Sequence, residues 1–267
     1  MSSIISVDLL VAATSPLYFS NLVATNVPNP NTISLFPYHP NFTNNILGPS
    51  STARQLHNLA NGGTNWFPPG SEQGNGKTPP RLLFYDEGDF NSYSSLLSVD
   101  PVTRESEVIL SSYYGRNFSS NFRPEPTIPS LVYRFSPFTS ELVVVADGFD
   151  QSNGLEFSPD LKTLYVTDTR QAQFNNYLTR PSTIYAFDVV GGKSSENRRT
   201  LAYVDTGFPD RIHTDVEGNV WAACGDGVHI WGSDGTFLVL IFSNAQLWIV
   251  EEIGAVGREI CNDFELC

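Results

Sequence analysis

Short hydrophobic segments separated by turn residues recur from Arg81 to about residue 252. They are rich in Val, Leu, Ile, Tyr and Phe, as at residues 131–135 and 142–146. Gly, Pro, Asp and Ser separate them, for example in the turn at Ser136-Pro137. Because β-branched and aromatic residues favour strands and the separating residues favour tight turns, the pattern predicts consecutive β-hairpins.

Two stretches of the chain, residues 148–168 and 207–224, repeat one pattern. Each begins with Gly-Phe, continues with an Asn or Asp and a hydrophobic strand, and passes through a charged turn to a second strand. Strand pairs that recur at about 40 to 60 residues are typical of a radially repeated β architecture. Asn153 and Asp210 occupy matching positions in the two copies, and both side chains carry oxygens that suit hard metal ions.

Length and composition allow one large β domain or two small ones. Of the 267 residues, 40% are apolar, and 20 Gly and 18 Pro accompany a single Met and no long run of helix formers. Residues 1–80 are predicted to be a loop-rich, weakly defined part of this fold, residues 81–252 its regular strands, and residues 253–267 a C-terminal tail. The net charge of -13, without clustered Lys and Arg, argues against a nucleic-acid partner.

Signals for membranes, secretion and disulfides are weak. No apolar run reaches the roughly 18 to 20 residues that span a bilayer, so no membrane partner is expected. The apolar residues 4–19 contain Asp8 and lack a basic start, which is unlike a signal peptide. Secreted and cytoplasmic locations both stay open, as does the oligomeric state. The odd number of cysteines favours no structural disulfide, and a bridge between Cys261 and Cys267 is the alternative.

Several segments form a recognisable set of motifs. They are Asn-Gly-Leu-x-Phe-Ser-Pro-Asp with the strand after it at residues 153–168, and the segments at residues 100–118, 209–210, 217–221 and 225–228. Together these motifs resemble the senescence-marker-protein-30/gluconolactonase family, and in particular its fungal lactonohydrolase branch. The resemblance covers about residues 81–250. The resemblance implies an all-β, six-bladed β-propeller with a divalent cation in its central channel, and hydrolysis of a small-molecule lactone. It also implies that Asn153 binds the metal and that Asp210 binds it and acts as general base.

The chain departs from the family pattern at three points. A glutamate ligand expected on a strand before Arg81 is not found, and Glu87 is a weak substitute. A second asparagine ligand expected after residues 118–120 is also missing, because the chain passes directly to sequence that normally follows that strand pair. These gaps predict a propeller of about five blades, whose closure stays open. Arg211 stands where the family usually has Gly, which places a cation beside the candidate site.

The donor types indicate which metal the site would bind. Ca²⁺ takes about six to eight oxygen ligands, whereas Zn²⁺ prefers nitrogen and sulfur, so one Asn and one Asp favour Ca²⁺. The alternative for both residues is structural: Asn153 would form a turn with Gly154, and Asp210 would be a turn carboxylate after Pro209.

The other polar and aromatic residues of the hairpins receive structural interpretations. Asp168 is expected to cap a strand end. Histidines in or beside strands are expected to be half-buried and hydrogen-bonded, and no Gly-x-Ser-x-Gly elbow accompanies them. The solvated turn carboxylates are expected to be Asp160, Glu217 and Asp234. The histidines are His213 and His229. The tryptophans expected to pack between blades are Trp221, Trp231 and Trp248.

Two hypotheses of different classes follow. The first is a metal-dependent hydrolase that opens a sugar-type or secondary-metabolite lactone, with water activated by Asp210 on a cation bound in part by Asn153. The alternative is a degenerate, non-catalytic propeller that serves as a binding scaffold or is a truncated gene product. The number of ligands that converge on Asn153 and Asp210 distinguishes the two.

Overall fold

The computed structural model consists of β-strands joined by turns, which confirms the predicted all-β class. It describes residues 81–86, 88, 92–100, 103, 105–119, 126–136, 139–170 and 179–242, together with the backbone of four strands nearer the N-terminus. Within these residues no helix has the length and apolar character that a membrane crossing requires. Glu87, Trp248, Cys261 and Cys267 lie outside the described residues, as does the predicted tail at residues 253–267.

Internal contacts divide the chain into two compact units, residues 1–128 and 129–267. The strands of the first unit are β1 (Ile5–Ser6), β2 (Leu17–Leu22), β3 (Asn31–Phe36), β4 (Ala60–Trp66), β5 (Arg81–Asp86), β6 (Ser95–Val99), β7 (Ser106–Leu110), β8 (Ser112–Tyr113) and β9 (Arg116–Asn117). They form the antiparallel sheets β1-β2-β3, β4-β5-β6-β7 and β8-β9. Residues 1–80 thus contain four strands, and the division of the chain at residue 80 stays a prediction.

The second unit holds three antiparallel sheets in chain order. Its strands are β10 (Ser130–Ser136), β11 (Glu141–Phe149), β12 (Ser152–Phe157), β13 (Thr163–Asp168), β14 (Thr183–Val190), β15 (Ser194–Tyr203), β16 (Ile212–Thr214), β17 (Val220–Cys224), β18 (Gly227–Trp231) and β19 (Phe237–Phe242). The sheets β12-β13-β14-β15 and β16-β17-β18-β19 are four-stranded meanders, the unit from which propellers are built. The sheet β10-β11 has two strands in the described part of the chain.

Hydrophobic residues cover both faces of the sheet β12–β15, which is therefore the centre of the second unit. Successive side chains of a strand point to opposite faces, so a strand buried on both sides is hydrophobic throughout, as at residues 164–166. One cluster joins this sheet to β16–β19 and includes Tyr165, Ile184, Ala186, Ile212, Val220, Ala222 and Trp231. The other joins it to β10–β11 and consists of Val132, Ala146, Phe149, Leu164, Val166 and Phe187.

A buried carboxylate fixes the turn between β16 and β17. Asp215 is fully buried, and its Oδ1 accepts hydrogen bonds from the backbone N–H groups of Glu217 at 3.0 Å and Asn219 at 2.8 Å. Its Oδ2 accepts from Asn219 Nδ2 at 2.9 Å and from Trp221 Nε1 at 3.0 Å. These donors compensate the cost of burying the charge. Trp221 is thus held by a hydrogen bond, whereas Trp231 packs in the core as expected.

We predict that Asp215→Ala lowers the free energy of unfolding by about 3 kcal/mol, because four donors of this turn, from Glu217, Asn219 and Trp221, lose a buried charged acceptor. Urea unfolding followed by tryptophan fluorescence measures the change. Glu217→Ala is the matched control, since Glu217 is exposed on the same turn, and it is expected to change the free energy by less than about 0.5 kcal/mol. Equal urea midpoints for the two variants would show that the turn does not depend on this carboxylate.

Candidate metal centre

The first strands of the two four-stranded sheets, β12 and β16, run side by side in parallel. Three side-chain hydrogen bonds connect them, and each joins residues that are 57 positions apart in the chain. The pairs are Asn153 with Asp210, Glu156 with His213, and Phe157 with Thr214. Because the offset is constant, the two strands keep one register along the seam between the sheets.

This register brings the two predicted site residues into direct contact. Asn153 lies on β12, and Asp210 lies in the segment that leads into β16. Asn153 Nδ2 donates a hydrogen bond to Asp210 Oδ1 at 2.6 Å, and both side chains are half-buried. The amide oxygen of Asn153 and the second carboxylate oxygen of Asp210 make no hydrogen bond to another described residue. Two oxygen donors therefore lie together at the start of the seam.

Asn153 lies in a β-bulge. The ladder between β12 and β13 shifts register after Ser152, so that Asn153 and Gly154 together stand opposite the single residue Thr167. An extra residue in one strand bends the backbone and changes the direction of a side chain. The bulge therefore allows Asn153 to turn towards the neighbouring sheet.

The backbone around Asp210 has the same arrangement. Ala223 accepts a hydrogen bond from the N–H of Asp210 at 2.9 Å and donates one to the carbonyl of Arg211 at 3.0 Å. Two consecutive residues therefore stand opposite one residue of β17, as at Asn153 and Gly154. The repeat seen in the sequence is thus a repeat of backbone geometry. Arg211, predicted to bring a cation to this region, is half-buried next to Asp210.

Close backbone packing supports the contact. A Cβ on Gly154 would lie 2.7 Å from the carbonyl oxygen of Asp210 and 2.9 Å from Ile212 Cγ2, so only glycine fits here. The buried Thr167 hydroxyl accepts a hydrogen bond from the N–H of Gly154 at 2.7 Å and contacts the Asp210 carbonyl oxygen at 3.4 Å. Thr167 thereby links the bulge of β12 to the backbone of Asp210. Nothing in the sequence pattern singled out Thr167, because its partners are 13 and 43 residues away.

Asp168 and the turn carboxylates have the structural roles that we expected. Asp168 is buried and accepts hydrogen bonds from the N–H groups of Asp150 and Gln151, both at 2.9 Å, which makes it a strand-end cap. Asp160 and Asp234 are exposed. The pKa of the Asp160 carboxyl lies below its usual value mainly because Ser158 donates a hydrogen bond to it. The pKa of the Asp234 carboxyl is lowered mainly by a hydrogen bond from the Thr236 backbone.

The two histidines are hydrogen-bonded. His213 is exposed on β16, where its Nδ1 lies 3.2 Å from Glu156 Oε2. His229 is buried, and its Nε2 lies 2.7 Å from Asp226 Oδ1. The expected half-burial is therefore wrong in degree for each residue. His213 alternates with the buried residues Ile212 and Thr214 and so faces the exposed side of β16, whereas β18 lies between two other strands of its sheet. The expected hydrogen bonds are present in both cases.

The cysteine next to this region is buried in surroundings that favour its protonated form. Burial raises the pKa of the Cys224 thiol to about 12, and the negative charge of Asp226 adds to the effect. The charge of Asp210 contributes in the same direction. The thiol therefore favours the protonated form at neutral pH, and since the thiolate is the reactive form, this environment disfavours nucleophilic chemistry at Cys224.

The side-chain oxygens of Asn153 and Asp210 are of the type that a hard dication prefers. Two residues are fewer than a complete coordination site needs. Asn and Asp side-chain oxygens suit Ca²⁺, which takes about six to eight oxygen ligands. Among the described residues, no group of three or more His, Cys, Asp or Glu side chains converges closely enough to hold a metal ion. The segments expected to supply the further glutamate and asparagine, before Arg81 and after Ser119, lie largely outside the described residues.

Four-stranded meander sheets with a bulge at the first strand are typical of a propeller-type protein. The pair Asn153 and Asp210, at the seam between two such sheets, is a candidate metal site. Residues 117–240 match the model of the SMP-30/Gluconolactonase/LRE-like region. This part of the chain, which contains Asn153 and Asp210, is therefore similar to that family.

Relatives and solved structures agree with this assignment. The chain is 29% identical over 203 residues to Lactonohydrolase oryL of Aspergillus oryzae, covering 62% of this chain and 47% of that protein. It is 29% identical over 184 residues to Gluconolactonase of Zymomonas mobilis, covering 56% of this chain and 49% of that protein. The chain thus spans about half the length of these relatives. The structure of a gluconolactonase from Xanthomonas campestris superposes with a TM-score of 0.58 at 20% identity, over 89% of this chain and 78% of that one, which shows the shared propeller fold.

The alignments also contain positions at which this chain has no residue. The alignment with the Aspergillus protein has 203 positions, and it covers 62% of the 267 residues of this chain, or about 166 residues. About 37 positions of the alignment therefore have no residue of this chain. Strands usually have about five or six residues, so this length is ample for a strand pair with its turns. A total of this size is large enough to include the strand pair that the sequence predicts to be missing before β10.

We predict that Gly154→Ala destabilises the protein by about 1–3 kcal/mol, because the added methyl group pushes β12 away from the Asp210 backbone. Urea unfolding measures the loss. Gly191→Asn is the control, since Gly191 has a φ of 59° with open space around it, and Asn tolerates that conformation. If Gly154→Ala is as stable as the control, the seam is looser than the structure indicates.

Proposed function

We propose that the protein is a metal-dependent hydrolase that opens the ring of a small-molecule lactone. The observation that carries the proposal is the 2.6 Å contact between Asn153 and Asp210 at the seam of two sheets. Relatives named as lactonohydrolase and gluconolactonase support the choice of reaction. In this proposal Asn153 and Asp210 are metal ligands, Asp210 is also the general base, and the cofactor is a divalent cation, with Ca²⁺ favoured.

Asp210 performs the proton transfer. A water molecule attacks the lactone carbonyl carbon while its proton passes to the Asp210 carboxylate, and the ring C–O bond then breaks as the leaving oxygen takes up a proton. The hydrogen bond from Asn153 restricts rotation of the carboxylate and so orients the oxygen that accepts the proton. A dication bound here would polarise the lactone carbonyl.

A second candidate function is a non-catalytic scaffold of the same descent. It is favoured by the two-stranded sheet β10-β11 and by a donor set of two residues in the described part of the chain. Two ligands hold a dication weakly unless water or further side chains complete the coordination. The scaffold and the hydrolase share one fold and differ in metal affinity.

We predict that Asp210→Asn reduces lactone hydrolysis by about 10²-fold or more, because the amide cannot accept the proton of the attacking water. Hydrolysis of glucono-lactone in millimolar Ca²⁺, followed with a pH indicator, measures the rate. Asp234→Asn is the control, since Asp234 is an exposed turn carboxylate, and its rate should equal that of the unmodified protein.

Thermal melting tests the metal separately. A ligand bound only by the folded state at 100 times its Kd stabilises that state by about 2.7 kcal/mol. The unmodified protein should therefore melt at a higher temperature in millimolar Ca²⁺, and Asp210→Asn should lose most of the shift. Absence of both hydrolysis and a shift with Ca²⁺, Mg²⁺, Mn²⁺ and Zn²⁺ would favour the scaffold.

A further inference from the structure

A half-buried glutamine directly precedes β12, two residues before Asn153. Gln151 Nε2 donates a hydrogen bond to the hydroxyl oxygen of Thr169 at 3.1 Å. The same hydroxyl group, which is fully buried, donates to the backbone carbonyl of Gln151 at 3.5 Å. Because the hydroxyl proton is directed to the backbone, the side-chain amide is held with its nitrogen towards Thr169 and its oxygen turned away.

The amide oxygen of Gln151 is buried without a hydrogen bond. Within the part of the chain that the structure describes, Oε1 of this residue accepts from no donor. Burying a carbonyl oxygen without a partner is unfavourable, so such an atom in a folded protein needs an explanation. Coordination of a cation is one way to satisfy it, since amide oxygens are among the ligands that Ca²⁺ takes.

Alternation along β12 directs Gln151 to the face that carries the candidate metal centre. Successive side chains of an extended strand point to opposite faces. The Ser152 hydroxyl lies 2.9 Å from that of Ser130 on β10, so Ser152 is directed towards the sheet β10–β11. Its neighbours on either side, Gln151 and Asn153, are therefore directed to the other face, where Asn153 binds Asp210.

The neighbouring strand β13 shows the same arrangement. Thr167 and Thr169 are both fully buried and share a face, because they are two residues apart. Thr167 contacts the Asp210 carbonyl oxygen at 3.4 Å, and Thr169 binds the Gln151 amide. Gln151 thus belongs to the row of polar residues next to that of Asn153, about 7 Å away along the strand. Its side chain is one CH₂ group longer than that of Asn153, so its oxygen can reach an ion bound there.

We propose that Gln151, through Oε1, is a third oxygen ligand of the metal centre formed by Asn153 and Asp210. This inference rests on the proposed function, whose cation the ligand would help to bind. The three donors are two amides and one carboxylate, which explains why the site is not evident as a cluster of acidic residues. An amide adds a ligand without adding charge, and a carboxylate at the same position would add both.

Calorimetric titration with Ca²⁺ tests the ligand. Gln151→Met removes the oxygen from a side chain of similar length, and its Kd should be at least about tenfold higher than that of the unmodified protein. Gln151→Glu keeps an oxygen at this position and adds a charge, so its Kd should be about tenfold lower. Leu155→Glu is the matched control, because Leu155 is also two residues from Asn153 but is exposed on the opposite face, and its Kd should change by less than about twofold.

The outcomes separate failure of this inference from failure of the proposed function. Ca²⁺ binding that neither substitution of Gln151 alters would overturn the inference and retain the metal centre, with water or packing as the role of the glutamine. Equal tightening in Gln151→Glu and Leu155→Glu would also overturn it, since the effect would then be one of charge at a distance. The predicted shifts in Kd without lactone hydrolysis would retain the ligand and refute the reaction. No binding by the unmodified protein or by Gln151→Glu would refute both.

Discussion

The hydrogen bond between Asn153 and Asp210 depends on the parallel register of β12 and β16, and the candidate site exists only where that register holds. The offset of 57 residues is the same at three contacts along the seam. A slip of one residue would turn alternate side chains to the opposite face and separate the pair. The two bulges and the absence of a Cβ at Gly154 fix the strands at the distance that the hydrogen bond requires. Geometry shared by two repeats, rather than a single loop, therefore positions the site.

The sequence predicted the hairpins and singled out the two residues of the candidate site, because both depend on local patterns. The strands at residues 131–135 and 184–188 follow from runs of β-formers between turn residues, and the repeat identified Asn153 and Asp210 by matching position. The bulges, the Thr167 contacts and the exposure of Leu155 were not predictable from one sequence, since each depends on residues of another strand or sheet. The same reason explains why the histidines differ in burial: both lie in β-forming segments, and only the packing of β16 and β18 distinguishes them.

In the described part of the chain the sheet β10–β11 has two strands. On the face of the sheet β12–β15 against which it packs, Leu155 and Phe157 of β12 stay exposed. The alignment with the Aspergillus relative contains about 37 positions in total without a residue of this chain. The fold is compatible with either a hydrolase or a scaffold, and metal binding distinguishes the two.

Anomalous diffraction from crystals soaked in Mn²⁺ or Tb³⁺, ions that replace Ca²⁺ at oxygen sites, tests the central claim most directly. If Asn153 and Asp210 share a dication, the anomalous map will contain a peak between them, within about 2.5 Å of one oxygen of each side chain. A map with no peak at the seam, in crystals where the two side chains keep their direct hydrogen bond, would contradict the claim.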